Sequence, residues 1–92
     1  PVTCEEMFYT TGDVVGHADR ADCWYILYNV VYDFTDYVDR HPGGPTRVFQ
    51  ECGTDATQAF SRIHDQRTVE NAGTSYIIGK LGSSSGMQEV PC

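Results

Sequence analysis

The chain has 92 residues, of which 40% are hydrophobic and 12% aromatic, a composition typical of globular proteins. At this length we expect one small domain, because the commonest domains have about 100 to 150 residues. Thirteen acidic and six basic residues give a net charge of −7, which argues against nucleic-acid binding and favours a basic partner. No apolar run approaches the roughly 20 residues of a membrane span.

The first residues favour a strand followed by a short helix. Residues 7–9 are β-prone, and Thr10 and Asp13 have the spacing of a capping box, with an acid in place of the usual Glu. The helix is expected to run through about His17. This histidine falls in the last turn, where a cation suits the helix dipole, and we expect it at the surface.

A hairpin is expected next. Residues 23–28 and 30–32 are rich in aromatic and β-branched side chains, and Asn29 separates them. Four short helices should follow. The first has Asp33 or Thr35 as cap and ends at Arg40, and the second runs from Pro45 to just before Gly53. The third runs from Ala56 to about Ile63 with Thr54 or Asp55 as cap, and the fourth from Arg67 to Ala72.

The end of the chain favours one more strand and then a tail. Residues 75–78 return to a β pattern, whereas residues 82–86 read Gly-Ser-Ser-Ser-Gly. We therefore expect a domain over residues 1–82 and a flexible tail over 83–92, ordered only if Cys92 is held in place. Short strands on either side of a run of short helices favour the α+β class.

The four cysteines are Cys4, Cys23, Cys52 and Cys92, and none forms a C-x-x-C pair. This argues against a structural zinc site or a redox-active dithiol. Four cysteines in a short chain suggest two disulfides in an oxidising compartment such as the periplasm. Among the three pairings they allow, we expect Cys4 with Cys92 and Cys23 with Cys52. The chain starts without a signal-peptide pattern, as expected if a signal has been removed.

His41 and His64 are the candidates for a binding site. Pro42 disfavours helix at His41, and the breaks at residues 43–44 and 52–53 let the intervening segment fold back, so that both rings face one space. Apolar side chains at helical spacings would line that space. The pattern suits a flat, apolar, metal-centred ligand such as haem.

Two other interpretations stay open on the residues alone. The apolar side chains also fit an ordinary small core with histidines at its rim. The second interpretation is a zinc site, although the spacings match no common zinc pattern and disulfides would consume the thiols.

Residues 30–44, VVYDFTDYVDRHPGG, resemble the signature of the cytochrome b5 family, in which Val-Tyr-Asp opens a short helix that ends in His-Pro-Gly-Gly. The similarity covers about residues 8–81. It includes Tyr9-Thr10, Trp24-x-Ile-Leu27, Gly53-Thr-Asp-Ala-Thr57 with Phe60, a second histidine at His64, and Ile77-Ile-Gly79.

The resemblance implies a cytochrome b5-like α+β fold, in which a small mixed sheet and two helix pairs form a haem pocket. It implies haem b, held noncovalently, with His41 and His64 as the axial ligands. The family's pocket positions correspond to Leu27, Phe34, Tyr37, Pro42, Gly43, Val48, Phe60, Ile63, Val69 and Tyr76.

The sequence departs from the family pattern near the second histidine. A glycine that is common in the family is missing between Ile63 and His64, which puts the end of that helix in question. Asp65 stands where a serine often bonds a haem propionate, and its carboxylate would repel that propionate. Asp65 is therefore expected to turn away, with Gln66 or Arg67 taking the contact, unless the haem sits differently.

Two imidazoles fill both axial positions of an iron, so the resemblance implies electron transfer and not catalysis. We expect a monomeric electron carrier that docks transiently with a basic redox partner. Its acidic surface would be Asp36, Asp39, Glu51 and Asp65. The alternatives are a haem domain cut from a larger redox enzyme and a binding module without redox function, whose relatives typically lack this histidine pair.

Overall fold

The computed structural model of the chain describes residues 3–40, 46–62, 67 and 74–91. The strands are β1 (Thr3–Tyr9), β2 (Ala18–Asp19), β3 (Asp22–Leu27), β4 (Val30–Asp33), β5 (Thr54–Asp55), β6 (Ile77–Leu81) and β7 (Gly86–Pro91). The helices are α1 (Thr11–Val15), α2 (Thr46–Phe49) and α3 (Thr57–Ser61), with 3₁₀ turns at Val38–Arg40 and Thr74–Tyr76. Over these ranges, no helix is long and apolar enough to cross a membrane.

The strands build one mixed sheet in the order β2-β3-β4-β6-β1-β7, with β5 beside β3. The pairs β1–β6 and β3–β5 are parallel, and the other neighbours are antiparallel. A mixed sheet with short helices confirms the predicted α+β class. Of the predicted fourth helix, residue 67 is helical and residues 68–72 lie outside the described residues.

The hairpin of β3 and β4 is confirmed. Its two-residue turn consists of Tyr28 and Asn29, which have φ angles of 52° and 64°. Two consecutive positive φ angles match the twist of antiparallel strands, and asparagine tolerates them well. The turn sets the register in which Leu27 pairs with Val30 and Trp24 with Asp33.

Successive side chains of β3 belong to two different hydrophobic clusters, as expected when they alternate across a sheet. The first cluster consists of Cys23, Tyr25, Leu27, Tyr32, Phe34, Val38, Val48, Cys52 and Ala56. The second consists of Val14, Ile26 and Val31, with Tyr9, Trp24, Ile78 and Leu81 packed against it. The sheet thus separates two apolar layers.

The predicted capping box at the start of α1 is confirmed. The Asp13 N–H donates to Thr10 Oγ1 (3.1 Å), and the Thr10 N–H donates to Asp13 Oδ2 (2.8 Å). Ser85 Oγ also donates to Asp13, and these hydrogen bonds lower the pKa of that carboxyl. The helix ends at Val15, about two residues earlier than predicted.

His17 therefore lies beyond α1, and the prediction that it sits in the last helical turn is wrong. Its ring stacks on Trp24, with centroids 3.6 Å apart and planes 5° from parallel. Its Nδ1 lies 2.8 Å from the Asp22 carboxylate. The indole surface and this carboxylate, instead of a helix dipole, determine where the ring lies, and its side chain is 33% exposed.

The third predicted helix starts one residue later than expected because the backbone of its expected caps takes part in the sheet, although the Asp55 side chain still accepts the Thr57 N–H (3.1 Å). Thr54 and Asp55 form β5 and pair with Tyr25 and Ile26, so α3 begins at Thr57. The helix predicted to end at Arg40 is reduced to the 3₁₀ turn Val38–Arg40, and the described part of the helix predicted from Pro45 is the single turn α2. The strand predicted over residues 75–78 starts at Ile77, after a 3₁₀ turn.

Part of the predicted C-terminal tail is ordered, which the prediction allowed if Cys92 is held in place. Residues 86–91 form β7, which pairs with β1 from Phe8↔Gly86 to Thr3↔Pro91. Backbone hydrogen bonds to the free edge of β1 order this polar segment. A Gly-Ser composition alone does not reveal such a non-local partner.

The predicted disulfide between Cys23 and Cys52 is present. Cys4 also takes part in a disulfide. Its predicted partner, Cys92, lies outside the described residues, so that pairing stays a prediction.

We predict that Thr10→Ala lowers the free energy of unfolding by about 1 kcal/mol, because it removes the oxygen that caps α1. Urea denaturation measures this change. The control is Thr11→Ala, which alters an exposed threonine at the next position and should stay within about 0.5 kcal/mol of the unsubstituted chain. Equal losses in both variants would show that the capping box contributes little.

Candidate functional site

The first cluster brings together six of the ten predicted pocket residues. Leu27, Phe34 and Val48 are buried members of it. Tyr37, Phe60 and Tyr76 are half-buried and pack against it. These side chains come from β3, the segment after β4, α2, α3 and a 3₁₀ turn, so the fold collects them from distant parts of the chain.

The remaining predicted site residues lie outside the described residues. They are His41, Pro42, Gly43, Ile63, His64 and Val69, together with Asp65. Both histidines follow residues whose positions are described. Val38, three residues before His41, is fully buried in the cluster, and Phe60, four residues before His64, packs against it. A described residue three or four positions before each histidine therefore lies in or against this cluster.

Phe34 is the aromatic centre of the cluster, in contact with four tyrosine rings. Its centroid lies 5.1 Å from Tyr25, 5.2 Å from Tyr32, 5.3 Å from Tyr76 and 5.5 Å from Tyr37. Each distance is in the range where aromatic pairs attract. Tyr37 and Tyr76 also contact each other, at 5.5 Å, and their partial exposure gives the cluster an accessible aromatic edge.

Tyr25 is a residue of this cluster that the sequence-based prediction of the site missed. It is fully buried, its ring contacts Phe34 and Phe60, and its hydroxyl donates to the Val48 carbonyl. Burial raises the pKa of the Tyr25 hydroxyl, and the charge of Glu51 raises it further, so the group stays a protonated donor. The alternation along β3, which places Tyr25 on the same face as Leu27, was the available signal.

The chemistry of this cluster fits a flat apolar macrocycle such as haem. Its accessible edge consists of aromatic rings, which suit contact with a porphyrin. Among the described residues, no group of three or more His, Cys, Asp or Glu could hold a metal ion. Cys23 and Cys52 are joined to each other, so the zinc alternative cannot use these two thiols.

Comparison with known proteins supports the same interpretation. Residues 10–82 match the family model described as "Cytochrome b5-like Heme/Steroid binding domain". A cytochrome b5 of Rhizopus stolonifer is 35% identical over 81 residues, which is 88% of this chain but 62% of that protein. The NADH nitrate reductase of Volvox carteri is 37% identical over 83% of this chain and 9% of its own length.

A solved structure shares the fold. The cytochrome b558 of Ectothiorhodospira vacuolata, described as a prokaryotic homologue of cytochrome b5, superposes with a TM-score of 0.72 at 30% identity. The match covers 83% of this chain and 99% of that one. The predicted cytochrome b5-like fold is thereby confirmed, and haem is confirmed as a cofactor at the level of the family.

We predict that ionisation of Tyr25 contributes to alkaline unfolding. In the unfolded chain a tyrosine ionises near pH 10, whereas burial raises its pKa in the folded state. The stability contributed by this difference is fully present below about pH 10 and is lost as the pH rises towards the folded value. Urea denaturation between about pH 8 and 11 should give a shallower decline for Tyr25→Phe than for the unsubstituted chain.

Tyr9→Phe is the matched control, because it removes a hydroxyl beside the second cluster and leaves Tyr25 in place. It should keep the pH dependence of the unsubstituted chain. The same slope in all three proteins would contradict the prediction.

Proposed function

Because the chain belongs to the cytochrome b5-like heme/steroid binding domain family, we propose that it binds haem b noncovalently, with His41 and His64 as axial ligands, and carries single electrons. The observation that supports this most directly is the convergence of six predicted pocket residues in one aromatic cluster. Val38 and Phe60, which precede His41 and His64 by three and four residues, also lie in or against that cluster.

The residues of the proposed pocket would have different roles. Leu27, Phe34 and Val48 keep water away from the pocket floor, since they are at most 6% exposed. Tyr37, Phe60 and Tyr76 offer aromatic contact at the accessible edge. We assign Pro42, Gly43, Ile63 and Val69 to the remaining wall.

When bound, haem supplies a ferric/ferrous couple whose potential depends on its ligands and on nearby charge. Two imidazoles would occupy both axial positions, which disfavours reaction of a substrate at the metal. An electron carrier, and not an enzyme, follows from that ligand set. Carboxylates near the site should favour the ferric state, although Asp39 is partly neutralised by Arg20, 2.5 Å away.

We predict that His64→Ala or His41→Ala converts the hemin-reconstituted protein from a low-spin to a high-spin spectrum and weakens haem retention by at least about 10-fold. Visible absorption of the oxidised and reduced forms and transfer of haem to a scavenger protein measure these effects.

The third histidine provides the control. His17→Ala removes a ring that stacks on Trp24 beside the second cluster, and it should leave the haem spectrum unchanged. A colourless reconstituted protein, or a His17 variant that loses haem as readily as the other two, would reject the proposed ligands.

The charge distribution supports a basic redox partner. Asp36 is exposed next to Tyr37, and the Glu51 carboxylate is close enough to Tyr25 to raise its pKa. Both charges therefore lie near the aromatic cluster. Long-range attraction of this kind speeds encounter with an oppositely charged protein and weakens with salt.

We predict that the electron-transfer rate with a basic redox protein falls at least about 10-fold between low and near-molar salt. Stopped-flow absorption at the haem band measures the second-order rate constant. Combining Asp36→Asn with Glu51→Gln should reduce the rate at low salt, whereas Glu89→Gln, on the distant edge strand β7, should not. A rate that does not depend on salt would rule out this docking surface.

A second candidate function is that of a haem domain within a larger redox enzyme. The similarity to the nitrate reductase of Volvox carteri favours it, because the matching segment makes up 9% of the length of that protein.

We retain residues 1–82 as the family domain. The Cys23–Cys52 disulfide supports an oxidising, extracytoplasmic location, and we propose a monomer.

A further inference from the structure

Two side chains of β3 link the sheet directly to α2 and the turn that follows it. Cys23 and Tyr25 are two residues apart, so they lie on the same face of the strand. Cys23 forms the disulfide with Cys52, and the Tyr25 hydroxyl donates to the Val48 carbonyl. The two links end close together, because Cys52 Sγ lies 3.7 Å from the Val48 oxygen.

Tyr25 attaches a different part of the chain from the backbone contacts nearby. The Gly53 N–H donates to the Trp24 carbonyl (2.6 Å), and Thr54 pairs with Tyr25 in β5. These contacts fix the chain after Cys52. The Tyr25 hydroxyl acts earlier in the chain, at Val48. This residue lies within α2 and is one of the proposed pocket residues.

We propose that Tyr25 is a positioning residue which, with the Cys23–Cys52 disulfide, holds α2 against β3 and so fixes the pocket wall that carries Val48. The cofactor part of this inference rests on the proposed function. Thr46, the first residue of α2, directly follows the segment that carries His41. The position of α2 therefore also fixes one end of that segment.

The structure separates this positioning role from a general contribution to stability. In Tyr25→Phe the ring would keep its contacts with Phe34 and Phe60, at 5.1 and 5.7 Å. The Val48 oxygen would still accept the Glu51 N–H (3.2 Å). The substitution leaves neither a buried hydroxyl nor a carbonyl without a partner, so it should cost no more than the one hydrogen bond that it removes. Its main effect should be on α2.

The first measurement uses the cofactor-free 92-residue chain. Hydrogen exchange of the Gln50 and Cys52 amides reports on α2, because these groups donate to the carbonyls of Thr46 (3.0 Å) and Phe49 (3.2 Å). Tyr25→Phe should accelerate both exchange rates about 5- to 10-fold, as expected for the loss of one buried hydrogen bond. Tyr9→Phe, the control beside the second cluster, should leave them unchanged.

The second measurement uses the hemin-reconstituted chain. Tyr25→Phe should accelerate haem transfer to a scavenger globin by a similar factor of about 5 to 10, with low-spin EPR g values shifted from those of the unsubstituted protein. The rate of haem transfer and the g values should both stay unchanged in Tyr9→Phe. A shift in the g values reports on ligand orientation, which a merely less stable protein would not alter.

The outcomes distinguish this inference from the proposed function. If the unsubstituted chain takes up no hemin, the proposed function fails, and the exchange rates alone decide whether Tyr25 holds α2. Exchange and haem transfer both within twofold of the unsubstituted protein would overturn the inference. Faster exchange with unchanged haem transfer and g values would overturn the role at the pocket.

Discussion

The structure depends on the packing of one face of the β3–β4 hairpin against α2, α3 and the 3₁₀ turn Thr74–Tyr76. Phe34 is central to it, with four aromatic neighbours between 5.1 and 5.5 Å away. Aromatic pairs of this kind contribute about 0.5 to 1.5 kcal/mol each beyond the burial of their surface. Elements that are far apart in sequence therefore meet at one side chain, and the half-buried rings at the edge of this contact form the candidate pocket.

In so small a domain, the Cys23–Cys52 disulfide contributes a large part of the total stability. A 92-residue chain is expected to be stable by about 5 to 14 kcal/mol. Closing a loop of 29 residues between Cys23 and Cys52 contributes about 3 to 4 kcal/mol in the chain-entropy description. Because this bond joins β3 to the turn after α2, the stabilisation is placed at the pocket wall, where short helices provide few hydrogen bonds of their own.

Local signals in the sequence predicted local structure well. The capping box at Thr10 and the turn at Asn29 depend on neighbouring residues, and both are present. Features set by distant partners were missed: Thr54 pairs with β3, and β7 pairs with β1. The same distinction applies at the site, where the family motif indicated six residues that do converge, whereas the role of Tyr25 depends on a carbonyl 23 residues away.

The alternation of side chains along β3 also separates His17 from the candidate pocket. Tyr25 and Leu27 belong to the first cluster, whereas Trp24 packs against the second. His17 stacks on Trp24 and contacts Asp22, so its ring is engaged at a different apolar layer from the candidate pocket. A one-residue shift of β3 would exchange these faces and bring Trp24 into the pocket layer. The hairpin turn at Tyr28 and Asn29, by fixing that register, therefore keeps Trp24 and the His17 ring stacked on it away from the candidate pocket.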